Sequence, residues 1–372
     1  MFEAADYDSV RRPLLQAETL AAHCYTDDAF FAREIERIFK PGWQFVGHVD
    51  EIPNLGDTLV VDTVSGSSLV VRSVEGQILA FANACRHRAT RLKNDAGNCR
   101  KFVCPYHAWS YDLNGDLRAA PGMQAVENFS LADYSLEARR LEIWGGFIFI
   151  NHQNSSPALL ETLGDLPSRM AQYRLDEMQF VRGVQFEVRG NWKLIIENSL
   201  EAYHTGIVHK NTVGAQGSES VKSKGEWDAL YVFNDPDKSI ATLPGEKVSM
   251  PFIDGLNSTA LSGTYFTVIY PCLQIVFSQD CLWWLDIKPI GVNRSSVTLG
   301  SCFPRSTVQL PDFEKRVRPY YQRWDETFEE DKIIAEAQQL GQAADLHKRG
   351  RYSAREHCVH SFANWVLDRL LD

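Results

Sequence analysis

The sequence predicts an α+β chain, with a small antiparallel β domain placed ahead of a larger domain of mixed antiparallel sheet and helices. Three textures along its 372 residues carry this expectation. From Trp43 to about Asn151, short β-type runs (WQFVGHV, TLVVDTV, SLVVRSV, ILAFANA, FVCPYHAWSYDL and EIWGGFIFIN) are separated by turn signals. Those signals include Gly66, Glu75-Gly76 and Asn114-Gly115, the last a strong tight-hairpin signal. From about residue 183 strand runs (VQFEVRG, TYFTVIYPCLQIVF, CLWWLDIKPIG) mix with the helical stretch NWKLIIENSLEAYHTGIVH. A long helix, from about Pro311 to Gln339, is expected to close the chain.

Each element has its own local reason. In TDDAFFAREIERIFK, Phe31, Ile35, Ile38 and Phe39 share one helical face. Asp27 and Asp28 sit at the positive end, and Pro41-Gly42 stops the helix. Residues 1–42 thus read as a helical segment packing on the second domain, 43–152 as the β domain and 153–372 as the second domain. Residues 152–182 read as a connector with a helix. The stretch 211–260, rich in Gly, Ser, Asp and Lys, reads as mobile loops near a site.

Composition narrows the function classes. A 44% apolar, 11% aromatic chain has ample material for a core. Its formal net charge of −10 argues against nucleic acid or an anionic membrane as main partner. No apolar run approaches the ~20 residues of a membrane span, and MFEAADYDSV has no basic stretch followed by an apolar one, so a cytoplasmic location is expected. Eight cysteines without a secretion signal read as mostly inert buried thiols, not a disulfide framework.

Two of those cysteines stand apart. Cys85-x-His87 and Cys104-x-x-His107 lie within 23 residues, with sixteen residues between His87 and Cys104. Thiolate and imidazole are metal ligands. A zinc site, unmetallated core residues and a [2Fe–2S] cluster with two cysteines on one iron and two histidines on the other all compete for this pattern. Around the pairs stand Arg86, Arg88, Arg91, Lys93, Arg100 and Lys101 against a single acid, Asp95. That local inversion of charge is a solvated loop surface or a dock for an acidic electron donor. Trp109 either sits at such a dock or packs the domain.

A second constellation lies in the helical stretch. Glu197, Glu201 and His204 are spaced i, i+4, i+7 and form one stripe on a helix. His209 falls about 140° off that face at 100° per residue, so the helix must end or bulge between them if both histidines bind one metal, and Thr205-Gly206 suits such a break. Non-haem iron(II) sites use two histidines and one carboxylate. Asp331 is in register with Trp324, Phe328, Ala335 and Gln338 on a largely apolar stripe, where an acid needs a partner. Glu329 and Glu330 lie on other faces and are expected to be solvated.

CRHRATRL followed by CPYHAWSYDLNGDL resembles the iron–sulfur motif of the Rieske-type non-haem iron oxygenases. Asn191-Trp192-Lys193, Glu197-Asn198, Glu201, Tyr203-His204 and His209, then Asp331 with Glu336 and Gln339, resemble the mononuclear-iron motif of the same family. Many relatives have glycine at Ala89 and Ala108. The resemblance implies a Rieske [2Fe–2S] domain held by Cys85, His87, Cys104 and His107, ahead of a helix-grip catalytic domain holding Fe(II) by His204, His209 and Asp331. It implies a terminal oxygenase (α) component that uses O2 and NAD(P)H-derived electrons delivered by a ferredoxin or flavin reductase. It implies a homotrimer in which Glu201 links His204 to His107 of a neighbouring subunit. Glutamate at 201 is typical of a single-subunit branch that includes carnitine and choline monooxygenases.

For the substrate, the aromatics Tyr265, Phe266, Tyr270, Phe277, Trp283 and Trp284 fill the core or form a cage for a quaternary ammonium. A small polar, N-methylated compound undergoing monooxygenation or demethylation is the leading expectation. The alternatives are a small aromatic acid hydroxylated by a ring-hydroxylating dioxygenase, and a Rieske electron carrier with no oxygenase chemistry. No G-x-G-x-x-G fingerprint is present, so a nicotinamide would act through the separate reductase.

Overall fold

The short β runs of the first half pair as antiparallel strands. In the computed structural model, which describes residues 2–247, 249–344 and 348–371, they form one of two contact units, Lys40–Leu159. The other unit joins the residues up to Phe39 with those from Leu160 onward.

In the first unit, β1 (Gln44–His48), β2 (Asp57–Thr63), β3 (Gly66–Arg72), β4 (Ile78–Ala82), β5 (Gly97–Asn98), β9 (Ala138–Trp144) and β10 (Phe147–Asn151) make an antiparallel sheet ordered β1-β10-β9-β4-β3-β2-β5. A second, three-stranded sheet contains β6 (Phe102–Val103), β7 (Ser110–Tyr111) and β8 (Leu117–Ala119). The β9–β10 turn is the two-residue Gly145-Gly146, both at positive φ. A Cβ on Gly146 would stand 2.4 Å from His48 Nε2, so only glycine fits there. The Asn114-Gly115 signal marks a real hairpin, β7–β8, and Asp112 Oδ1 accepts the Asn114 and Asp116 N–H groups across its turn.

In the second unit, α1 (Asp28–Glu34) starts on an Asp27 cap whose carboxylate accepts the Phe30 N–H. It runs into a π-helical turn at Ile35–Phe39, which rotates the buried face. Phe30 and Glu34 are therefore fully buried, whereas Ile35 is only partly so. The sheet is antiparallel, ordered β11-β17-β16-β15-β14-β13-β12: β11 (Met178–Val188), β12 (Ser218–Val221), β13 (Trp227–Phe233), β14 (Gly263–Ile269), β15 (Leu273–Phe277), β16 (Leu282–Gly291) and β17 (Arg294–Pro304).

The helices of this unit are α2 (Trp192–Ser199), α3 (Thr205–Val208), α4 (Arg318–Gln342) and α5 (His357–Leu370), with shorter turns between. An antiparallel β domain followed by an antiparallel sheet with long helices is the α+β architecture expected.

Four local expectations fail. The stretch 152–182 is not all connector, because β11 already begins at Met178. The 211–260 stretch is not all loop. WDALYVF at Trp227–Phe233 is a mostly buried strand, and its Asp228 is satisfied by the Tyr270 hydroxyl at 2.5 Å. Polar flanks hid a run too short to show alternation. The long helix does not close the chain, since α5 follows it with buried Cys358, Val359, Phe362, Ala363, Val366, Leu367 and Leu370. Finally, NWKLIIENSLEAYHTGIVH is not one helix: α2 ends at Ser199 and the chain turns through 200–204 before α3.

Candidate active site

In the first unit, two loops repeat one hydrogen-bond frame. Cys85 N–H bonds Thr90 O and Ala89 N–H bonds Cys85 O; Cys104 N–H bonds Trp109 O and Ala108 N–H bonds Cys104 O. Each loop turns through a left-handed alanine, Ala89 at φ 57° and Ala108 at φ 58°. A non-glycine residue pays for that region.

The frame sinks both thiols into the domain core and leaves both imidazoles half-exposed. His87 Nδ1 and His107 Nδ1 approach to 3.1 Å. Trp109 is buried and stacks on His87 with ring centroids 4.9 Å apart, so it packs the domain and is not an exposed docking residue. The Tyr111 hydroxyl lies 3.3 Å from Cys85 Sγ and accepts the Arg86 N–H, a contact that no local pattern singles out. Burial pushes the Cys85 thiol above its ordinary value. Two thiols and two imidazoles converging from adjacent loops are the donor chemistry that a Rieske cluster requires.

The surrounding cations are less free than the sequence suggests. Arg91 forms a two-pronged pair with Asp62 at 2.9 Å, and Arg86 pairs with Glu137. Arg88, Lys93, Arg100 and Lys101 have no carboxylate partner among the described residues. Cys99 sits 3.7 Å from the Thr58 hydroxyl, apart from the two pairs.

In the second unit, His204 and His209 bracket the single turn α3 as its two capping residues. Their ring centroids are 5.1 Å apart. Asp331 Oδ1 lies 3.5 Å from His204 Nε2 and 3.2 Å from His209 Nε2. These three donors form a cluster of metal-ligating atoms within 4.8 Å of one another.

The outer nitrogens are tied as well. His204 Nδ1 donates to Glu201 Oε1 at 2.6 Å and His209 Nδ1 donates to Glu330 Oε2 at 2.6 Å, which leaves both Nε2 lone pairs for the centre. Burial alone would lower His209, but Asp331 and Glu330 outweigh it and hold its proton affinity above the ordinary imidazole value. Two histidines and one carboxylate on one face suit a non-haem iron(II) ion.

Distant residues hold this arrangement in place. Asn198 Nδ2 donates to Asp331 Oδ1 at 3.3 Å. Gln339 Oε1 accepts the Asn191 N–H and Glu336 Oε1 accepts the Arg189 N–H, clamping α4 to the start of α2. Lys193 Nζ pairs with Glu34 Oε1 at 2.6 Å with both side chains fully buried. The expected Glu197/Glu201/His204 stripe does not exist, because α2 has ended. Glu197 instead accepts the Tyr25 hydroxyl at 2.7 Å, and burial pushes its carboxyl up to about 7.

Glu330 was expected in solvent and is at the site, bonded to His209 and the Thr212 hydroxyl. The available signal was chemical: an imidazole ligand needs an acceptor on its other nitrogen, and an acid stood beside the candidate ligand acid.

A cavity of about 90 Å3 opens beside the triad. Phe266, Trp283, Trp324, Phe328 and Arg323 line it; of the aromatics named from the sequence, Tyr265, Tyr270, Phe277 and Trp284 do not.

Comparison with known proteins bears on this arrangement. Residues 42–130 match the Rieske [2Fe-2S] domain and residues 175–372 match the ring hydroxylating alpha subunit (catalytic domain). The oxygenase subunit of glycine betaine monooxygenase from Chromohalobacter salexigens is 30% identical over 93% of this chain and 84% of its own. The chloroplastic choline monooxygenase of Arabidopsis thaliana is 29% identical over 94% of this chain and 82% of its own. Among solved structures, a quaternary ammonium Rieske monooxygenase superposes with a TM-score of 0.82 at 22% identity over 98% of each chain. Naphthalene 1,2-dioxygenase from Rhodococcus sp. does so with a TM-score of 0.80 at 21% identity over 95% of this chain and 94% of its own.

The two domain types imply a [2Fe–2S] cluster and a mononuclear iron site. Since both units and nearly the full length match, the chain belongs to the Rieske non-haem iron oxygenases as an α subunit, related to the quaternary ammonium monooxygenases.

Proposed function

We propose that this oxygenase receives electrons from a separate NAD(P)H-dependent reductase and uses O2 to monooxygenate, and so demethylate, a small N-methylated substrate. The observation that carries the reading is the His204/His209/Asp331 cluster in the wall of a cavity also lined by aromatic rings. Relatives named for glycine betaine and choline support it.

In this reading Cys85 and Cys104 hold one iron of the cluster, His87 and His107 the other, and His204, His209 and Asp331 hold Fe(II). When bound, these groups supply single-electron storage and the activation of O2. The chain supplies the rest. Glu201 and Glu330 fix which imidazole nitrogen carries the proton. Phe266, Trp283, Trp324 and Phe328 hold N-methyl groups against ring faces and keep bulk water out. Glu201 Oε2 accepts the His204 N–H at 3.0 Å and the Tyr203 N–H. Its free lone pairs suit a further bond to His107 of a neighbouring subunit, in a homotrimer. The exposed Arg88, Arg100 and Lys101 suit an acidic reductase or ferredoxin.

Iron analysis tests the site: about three irons per chain in the wild type and about two in Asp331→Ala, with the cluster's visible spectrum intact. Unchanged iron in that variant would place the third ligand elsewhere. O2 uptake and formaldehyde release, measured with a surrogate reductase over methylammonium compounds and aromatic acids, test the reaction. Turnover of aromatic acids alone would sink the demethylation reading.

A further inference from the structure

Arg323 is the odd member of the cavity wall. It is buried at 5% exposure, yet no hydrogen bond or ion pair engages its guanidinium among the described residues, and its Nε is enclosed without a partner. It lies over an aromatic face, Trp283, with the guanidinium carbon 5.0 Å from the ring centroid. A buried cation is ordinarily paired, because desolvation without compensation is costly. The contrast lies close by: Arg182 forms a two-pronged pair with Asp325 of α4 at 2.7 and 2.9 Å. Arg323 answers its burial with a lowered proton affinity, to about 10, although Cys281 and Asp331 act to raise it.

The cavity is therefore polarised. Asp331, Glu201 and Glu330 gather at the His204/His209 end, and even an Fe(II) there leaves a net charge of about −1 with neutral imidazoles. Arg323 lies eight residues before Asp331 on the same helix, about 12 Å along the axis at 1.5 Å per residue. Phe266, Trp283, Trp324 and Phe328 lie in the wall with both ends.

We infer that Arg323 is the anchor for a substrate carboxylate, so that the cavity selects a small zwitterion with an N-methylated cation at the triad end and a carboxylate at the other. A guanidinium presents parallel N–H groups that match a carboxylate in two-pronged fashion, and the ligand would supply the partner the protein withholds. This deepens the proposed function and rests on it for the reaction, though not for the anchoring.

The test compares three probes on the iron-loaded enzyme by calorimetry and steady-state kinetics: glycine betaine, choline (the same cation with a hydroxyl in place of the carboxylate) and benzoate (a carboxylate with no N-methyl group). The wild type is expected to bind glycine betaine more tightly than choline. Arg323→Gln should lower the glycine betaine to choline affinity ratio by about 10- to 100-fold, the worth of a charge-assisted hydrogen bond. The change should fall on KM more than on kcat, with no loss of melting temperature, since a buried unpaired charge has been removed. Arg323→Lys should recover part of the ratio and stands in should the glutamine variant misfold.

An unchanged ratio in both variants overturns the anchor, as does a wild type that binds choline as tightly as glycine betaine. Arg323-dependent binding of benzoate, without turnover of either methylammonium compound, supports the anchor while refuting demethylation.

Discussion

Glu330 gives the sharpest prediction. Its carboxylate accepts from His209 Nδ1 at 2.6 Å and from the Thr212 hydroxyl at 2.7 Å. Glu330→Gln keeps the shape but replaces the charge with an amide. The His209 contact is a charge-assisted bond of about 1.5–3 kcal/mol, against about 0.5–1.5 kcal/mol for a neutral one. The difference, about 1–2 kcal/mol, falls on metal binding, because a ligating imidazole loses basicity and orientation together. The expected outcome is a loss of mononuclear-site affinity for Fe(II) of about 5- to 30-fold, which overlaps the 10- to 100-fold typical of such partners. Competition with a coloured chelator measures it, and the cluster's visible absorbance serves as internal control. Thr212→Val removes only a hydroxyl donor to the same carboxylate and should cost less than about threefold. Affinity within twofold of wild type in Glu330→Gln would show that His209 is held by its backbone and neighbours, with the carboxylate incidental.

Glu201→Gln removes the equivalent acceptor from His204 and should weaken the iron site by a similar factor; with both metal centres filled at saturating Fe(II), it should still nearly abolish substrate-coupled O2 uptake, and full turnover would refute the proposed bridge. Ala89→Gly and Ala108→Gly remove a left-handed penalty of about 1–2 kcal/mol each and add back about 0.5–1 kcal/mol of unfolded-chain entropy. Both should therefore raise the denaturation midpoint followed at the cluster's absorbance; a lower midpoint contradicts the strain. Glu197 tests pH linkage. Its folded-state value near 7 lies above the ordinary 4.5, so its favourable contribution is full below about pH 4.5 and is lost as pH rises to about 7. Its side chain is not fully shielded, which takes the effect below the about 3 kcal/mol of a complete shift. Urea midpoints should accordingly fall between pH 5 and 8 in the wild type and fall less in Glu197→Gln; parallel slopes would refute the assignment.

Much of this molecule is legible in its sequence because the informative patterns are local. Short β-type runs broken by glycine turns predict the antiparallel first unit, and β1 to β4, β9 and β10 follow them closely. Thiol and imidazole at short spacing read as metal donors because few other uses need both, and the donors of each constellation do meet. Where the sequence misled, spacing had been extrapolated through a break. A helical projection assumes an unbroken helix, and α2 ends before Glu201, so Glu197 turns to Tyr25 while Glu201 turns to His204.

The tertiary structure decided what depends on partners far apart in the chain. Glu330 sits one residue from Asp331, and a helical wheel puts the two on different faces. Both nonetheless reach the site, because α3 places His209 so that one nitrogen of its ring faces each carboxylate. Nothing in the local sequence marks Arg323; folding buries it without a carboxylate partner among the described residues. Local pattern fixes which residues can ligate and which segments form strands. Only the packing of α2, α3 and α4 on the sheet fixes which charges are paired, and a buried charge left unpaired by the protein is the property a sequence cannot display.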